Sequence, residues 1–447
     1  MVLHEDPSWL SRRIPIYYLD EGGERVPSWP DRFDMKFIEG LETRSAQTGQ
    51  MQGFRAEYLC DPDAPEAKVF KSENLVIEPR VRKWEAIYTM TDPARTVNRG
   101  SADTGHAAWS WIGNRLIIWD GWARQLMPDQ IVKAIFDSME ELHPIWTGVE
   151  EDGLNQWLMQ PIRAESIRRG ISLPVKAVKA PPGKRDFIRG LQPFFMSSNA
   201  VFTKPMPELR EQLLGFPLGK IDAPNALAYA LKMRPGSPIY EDFGDDHIDD
   251  EIRPQSHRQS WLALNATPAM VTGMLLQSFE GSIRIFGDWV LEGDPQTVLT
   301  KIVGEAQAIA GRRVELTAGP LHFDQFNNVG LRQAALRANL EIRQGVPPAM
   351  GRASIADMLS SRRNGQPRLH VASDAIWTLN AFADGYCRTL EKDGYLADYA
   401  EPGPYRTLME GLESLCGLFE VSSPSNESSA IVYGRLPNGQ KYVTARR

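Results

Sequence analysis

A Gly113-Asn114 pair set between two largely apolar runs, HAAWSWI and RLIIWDGW, constrains this chain more than any other short stretch. A two-residue turn of that type commits both runs to one antiparallel hairpin. The run before it, KWEAIYTM, reads as a strand ending at Asp92, where Pro93 takes the next N–H out of any ladder. After the hairpin, Pro128 opens an amphipathic helix with Ile131, Ile135, Met139 and Leu142 on one face. IWTGVE then reads as a strand, LNQWLMQPIRAESIRRG as a helix stopped by Gly170, and PVKAVK as a strand. GKRDFIRGLQPFF reads as a helix, and DAPNALAYALKM as a last one with Asp222 at its start. The order βββ-α-β-α-β-α predicts an α/β fold: a mixed five-stranded sheet with helices on both faces.

The second half repeats that order. SWLALNATPA, MLLQSFEG and IRIFGDWVL read as three strands and DPQTVLTKIVGEAQAIAG as an amphipathic helix. RRVELTAG reads as a strand, VGLRQAALRANL as helical, LHVAS as a short strand and DAIWTLNAFADGYCRTL as a helix. TDPA at 91–94 parallels ATPA at 266–269, EEDGL at 150–154 parallels TAGPL at 317–321, and DAPNAL at 222–227 parallels DAIWTL at 374–379. Three matches in one order predict an internal duplication.

The 447 residues suffice for two to three domains, and charged residues make up an ordinary 24%. No apolar run approaches the ~20 residues of a membrane helix, and the N-terminus has no apolar signal region. Three cysteines without a CxxC pair exclude a disulfide framework and zinc-finger chemistry. A net charge of −7 argues against whole-surface nucleic-acid binding but leaves room for a local basic groove. Residues 160–190 carry eight basic residues against two acids, whereas 241–251 carries seven acids and no Lys or Arg. The acidic run, following PGSP, reads as a solvated linker. The expected layout is a turn-rich lead-in arm over 1–75, a first folded domain over 76–240, the linker over 241–256, a second module over 257–390 and a tail of loop and weak helix over 391–447.

Asp92 at one strand end, Glu150 at the end of the strand expected beside it, and Asp222 opening a helix that packs on the same edge would repel one another unless cations neutralise them. Hard Mg²⁺ or Mn²⁺ is the natural occupant, and two such ions can drive phosphodiester hydrolysis. Each acid alone has a plainer reading, as a turn residue, a solvated loop acid or a helix cap. Their joint placement favours the metal site.

With EYLCDP at 57–62, VEEDGLNQ at 149–156, KAPPGKRDF at 179–187 and IDAPNALAYAL at 221–231, the TDPA motif resembles the C-terminal nuclease half of a tailed-bacteriophage large terminase, over residues 1 to about 235. The resemblance implies an RNase H-like fold, three essential acids and two divalent cations, Mg²⁺ or Mn²⁺. It implies an endonuclease that cuts double-stranded concatemeric DNA during packaging into the capsid, in the host cytoplasm and away from membranes. Its implied partners are a terminase ATPase domain, a small terminase subunit and a portal protein. Carried across, Asp92 is the first-strand acid and Asp222 the late one. The fourth-strand acid falls on Glu150 or Glu151, with Glu150 preferred because it follows the apolar Val149, and Asp103 is either an accessory metal carboxylate or a loop acid.

Two departures stand out. Nothing fits GxxxxGK[ST], since Gly183-Lys184 is followed by Arg185, so either the chain is an excised fragment whose lead-in follows the ATPase, or the ATPase lies on another polypeptide. The C-terminal repeat is also larger than the tail the family implies. Thr267 stands in the place of Asp92 and Thr317 in that of Glu150, with only Asp374, as a helix cap, opposite Asp222. The second module therefore reads as a degenerate RNase H-like copy. In the basic segment, Lys179, Lys184 and Arg185 are the candidates for guiding the DNA backbone, without sequence readout. His106 reads as a strand-start residue. Two other readings fit the same residues: a catalytically inactive module docking the portal or small terminase, or a resolvase-like nuclease.

Overall fold

The computed structural model describes residues 14–47, 51–60, 68–82, 84–94, 102–151, 158–279, 281–319, 328–390, 396–419, 431–435 and 441–445. The chain divides into two compact units. One comprises Met1–Asp245, Val290–Asp294 and Ile376–Thr407, the other Asp246–Trp289, Pro295–Ala375 and Leu408–Arg447.

The first unit opens with a hairpin, β1 (Tyr17–Leu19) and β2 (Arg25–Pro27), and two helices, α1 (Met35–Gln47) and α2 (Met51–Tyr58). Ile16, Ile38 and Phe54 are buried together, so the lead-in segment has a small core of its own. The main sheet follows. β3 (Tyr88–Asp92), β4 (Thr104–Ile112) and β5 (Arg115–Arg124) form an antiparallel meander whose turn is Gly113-Asn114, with Gly113 at φ 58°. After α3 (Pro128–Leu142), β6 (Trp146–Glu151) lies parallel to β3. After α4 (Met159–Arg169), β7 (Val175–Lys179) lies parallel to β6.

GKRDFIRGLQPFF forms two helices instead of one, α5 (Lys184–Arg189) and α6 (Gln192–Met196). A sixth strand, β8 (Ala200–Phe202), then lies parallel to β5. The sheet order is β7-β6-β3-β4-β5-β8, the expected five strands plus one too short to leave a period in the sequence. The α3 face buries Ile131, Ile135 and Phe136 with Val149, Ile162 and Leu173. α7 (Pro207–Gly215) and α8 (Asp222–Ala228) complete the unit's helices up to residue 228, and α8 is nearly all buried against β3, β4 and β5.

The second unit holds β9 (Ser260–Ala266), β10 (Met270–Phe279), most of β11 (Ser282–Glu292), α9 (Pro295–Ala310), β12 (Glu315–Ala318), α10 (Asn328–Arg337), β13 (Ile342–Gln344), α11 (Pro348–Ser360), the short hairpin β14 (Arg362–Arg363) and β15 (Gln366–Pro367), and β16 (Leu369–Val371). Its sheet runs β13-β12-β9-β10-β11-β16, strand for strand the order of the first. β9 and β10 are antiparallel, while β12 lies parallel to both β9 and β13, and β16 parallel to β11. β13 was not expected. It takes the place of β7, so LHVAS corresponds to β8.

The register corrects two of the residue equivalences. Thr91 pairs with Val149, which sets Asp92 in step with Glu150. In the second sheet Thr317 pairs with Ala263, four residues before Thr267. Thr267 and Thr317 therefore cannot together replace Asp92 and Glu150, and Thr317 is buried in mid-sheet. Asp374 is no cap either, because α12 (Ile376–Asn380) starts two residues after it. The helix expected across 374–390 stops early, giving way to a π turn at Ala381–Gly385 and to β17 (Arg388–Leu390), which pairs with β18 (Leu396–Ala400). The tail holds α13 (Pro404–Cys416), which buries Leu408, Met409, Leu412 and Leu415 instead of fraying.

Candidate active site

Alternation along β6 points Val149 into the α3 core and Glu150 to the opposite face, where α8 lies. Asp92 ends β3 on that same face, and Pro93 prevents the ladder from continuing past it. The two carboxylates are 16% and 5% exposed and share one cation. Lys184 Nζ is 3.0 Å from Asp92 Oδ2 and 2.7 Å from Glu150 Oε1. Asn225 Nδ2 donates to Asp92 Oδ2 at 2.7 Å and to Glu150 Oε2 at 3.0 Å, and the Tyr229 hydroxyl donates to Glu150 Oε2 at 2.8 Å. Asn225 and Tyr229 are one helical turn apart and so reach the same pair.

Two buried carboxylates and one ammonium leave the cluster one negative charge in excess. Burial, and then the neighbouring Glu150, push Asp92 up to about 6 against the pull of Lys184. Burial pulls Lys184 down, but the two carboxylates outweigh it and hold the ammonium above its ordinary range. Burial also pushes the Tyr229 phenol up, so it remains a proton donor to Glu150.

Asp222 stands apart from this pair. Burial raises its carboxyl, which accepts from the Asp103 backbone N–H, and its nearest charges are Asp103 and Lys220. Lys220 Nζ bonds both Asp103 oxygens at 2.9 Å. Asp222 is the first residue of α8 and not its cap, and the Gln212 side chain accepts the Ala223 N–H instead. The helix start nevertheless sits directly on β4. A Cβ on Gly105, the residue paired with Asp92, would lie 2.1 Å from the Asp222 carbonyl oxygen.

Among the described residues, no three or more His, Cys, Asp or Glu side chains are grouped to hold a metal ion. The Glu151 side chain lies outside the described residues, as does much of the VEEDGLNQ motif.

The basic candidates separate. Lys184 turns its ammonium into the acid pair, Arg185 is exposed, and Lys179 pairs in step with Glu151, on the face opposite Glu150. Sequence reasoning missed Asn225 and Tyr229, whose i, i+4 spacing after Asp222 was the available signal. His106 is a buried strand residue. Thr91 Oγ1 lies 3.0 Å from its Nδ1, Ser138 Oγ lies 3.2 Å from its Nε2, and burial lowers it to about 4.

A mixed α/β sheet with a cation-bridged acid pair at adjacent parallel strand ends is the class of protein defined so far. No protein-family profile and no curated protein matches the chain. Among solved structures it is similar to the human cytomegalovirus terminase nuclease domain, at 18% identity over 33% of this chain and 82% of that one, TM-score 0.28. It is similar to the large terminase nuclease of thermophilic phage G20c with bound magnesium, at 11% identity over 37% and 97%, TM-score 0.28. It is also similar to the large terminase of thermophilic bacteriophage D6E, at 10% identity over 63% and 71%, TM-score 0.33.

Proposed function

We propose that this chain is a metal-dependent endonuclease that cuts double-stranded DNA during phage genome packaging, on an RNase H-like sheet. The observation that carries the reading is the buried Asp92–Glu150 pair, in step at the ends of two parallel strands and already holding one cation. A pair in which burial, and then the neighbouring Glu150, raises Asp92 to about 6, and whose donors are all carboxylate oxygens, suits a hard divalent ion. Mg²⁺ or Mn²⁺ would there supply an activated water and charge stabilisation at the departing oxygen.

The chain's own residues do the rest. Asp92 and Glu150 bind, and Asn225 and Tyr229 fix the orientation of both carboxylates. Asp222, beside the same strand end, is the third acid and the ligand toward a second ion. Lys184 would give up the pair to the metal and, with Arg185, supply positive charge toward the DNA backbone, whereas Lys179 lies on the opposite face of the sheet. The strand order of the first sheet and the motif resemblance support the fold and the packaging setting. The first unit carries the chemistry, with a boundary near residue 245. The second is a degenerate copy of the same sheet kept for binding.

Nicking of supercoiled plasmid in Mn²⁺, with EDTA as control, tests this. Cutting that vanishes in Asp92→Asn and Glu150→Gln is expected. No cutting by the full chain with any divalent ion would overturn it, as would wild-type cutting by either variant.

A further inference from the structure

A cavity of about 540 Å³ opens in the first unit at the other end of the strands that carry the acids. Tyr88 lines it at the start of β3, Trp146 at the start of β6 and Lys176 near the start of β7. Alternation puts Tyr88 on the face of Asp92, and Trp146 on the face of Glu150. Lys176 is in step with Gly148 and so shares that face. The cavity and the acid pair therefore lie on one side of one sheet, four strand residues or ~13 Å apart.

Its lining is cationic: Lys176, Lys232, Arg234, Arg388 and Arg406 against Asp384 and Glu401. Both acids are engaged. Asp384 accepts from the Gly236 N–H at 2.6 Å, from the Cys387 thiol at 2.8 Å and from the Tyr88 hydroxyl, while Glu401 faces Lys176 at 3.4 Å. Lys232 and Arg234 are held by aromatic faces: Lys232 Nζ lies 5.1 Å from the Phe187 centroid, and the Arg234 guanidinium lies 4.2 Å from that of Trp111. Among the described residues neither makes an ion pair, so their charge is not cancelled locally. Lys232 also lies 5.8 Å from the centroid of Tyr229, whose hydroxyl bonds Glu150. One aromatic ring thus separates cavity from acids.

We infer that this cavity is a phosphate-binding subsite that grips the backbone of the DNA strand about four steps from the point of cutting. The spacing agrees, since ~13 Å is close to four rises of ~3.4 Å along a duplex. The inference rests on the nuclease reading for the identity of the polymer. The chemistry it names is the phosphodiester, which a free mononucleotide shares in part.

The test is anisotropy of a labelled duplex against the full chain carrying Asp92→Asn, in EDTA, over a series of salt concentrations. Lys232→Gln and, separately, Arg234→Gln should each weaken binding roughly three- to tenfold and lower the log–log salt slope by roughly 0.9. Lys232→Arg should restore both. Inorganic phosphate and a deoxynucleoside monophosphate should compete only at millimolar concentration. An unchanged slope in both Gln variants would overturn the subsite, as would a monophosphate that competes as well as the duplex. The Arg234 variant, whose side chain rests on Trp111 instead of Phe187, keeps the result readable if Lys232→Gln does not fold. Plasmid nicking by the unsubstituted chain separates the two readings. Cutting with unchanged slopes sinks only the subsite, and lowered slopes without cutting sink only the nuclease.

Discussion

At the scale of single residues, Asp92 works against the fold it belongs to. A carboxyl raised from its ordinary range to about 6 binds its proton more tightly when folded than unfolded. Its ionisation therefore costs stability, with the cost absent below about pH 4 and fully present above about pH 6. Asp92→Asn should abolish cutting in Mn²⁺ yet, in EDTA, leave the thermal midpoint near pH 7.5 unchanged or a few degrees higher, and that gain should shrink near pH 4.5. A midpoint lowered by more than ~5 °C near pH 7.5 would mean that the carboxylate is structural. His106 has the opposite sign. Held neutral with its pKa lowered to about 4, it favours the folded state above about pH 6.5 and loses that contribution as pH falls toward 4. The difference amounts to at most ~3 kcal/mol. His106→Gln should therefore flatten the loss of stability on acidification, and parallel wild-type and variant denaturation curves across that window would refute the assignment. Glu150 was legible from its place after Val149. The inward turn of Lys184 was not, because a basic residue in a basic segment reads as solvated until a partner distant in sequence closes on it.

At the scale of elements, a glycine governs how closely α8 approaches the sheet. Gly105→Ala would push a Cβ into the Asp222 carbonyl, so helix or strand must shift. We expect a loss of ~1–3 kcal/mol together with reduced cutting. Gly304→Ala in α9, with open space around the new Cβ, should gain ~0.5–1 kcal/mol and leave cutting alone. Equal effects of the two in denaturant melts and nicking rates would contradict the packing. Long apolar strands around a clear turn and amphipathic helices could be read directly, as β4, β5 and α3 were. Elements of three residues, such as β8 and β13, carry no period and exist only through their neighbours. α13 was obscured by the Gly and Pro before it, although its buried Leu408, Leu412 and Leu415 follow helical spacing.

At the scale of the whole molecule, two sheets share one strand order, but the acids belong to the first. Thr267→Asp with Thr317→Asp, placed in the Asp92→Asn background, should restore no Mn²⁺-dependent nicking. The register sets the two positions four residues apart, and one of them is buried. Recovery of cutting would show that the second sheet retains a usable site. The duplication was visible in the order of elements, whereas the residue equivalences drawn from short matches were not secure, because pairing is a property of strands lying side by side. The Lys184 ammonium has one further consequence. A cleft that supplies its own counter-ion needs no metal to stay assembled, and on the proposed reading a divalent ion would take the place of the ammonium between the two carboxylates. The fold should therefore hold in a chelating medium, with a thermal midpoint that EDTA leaves unchanged.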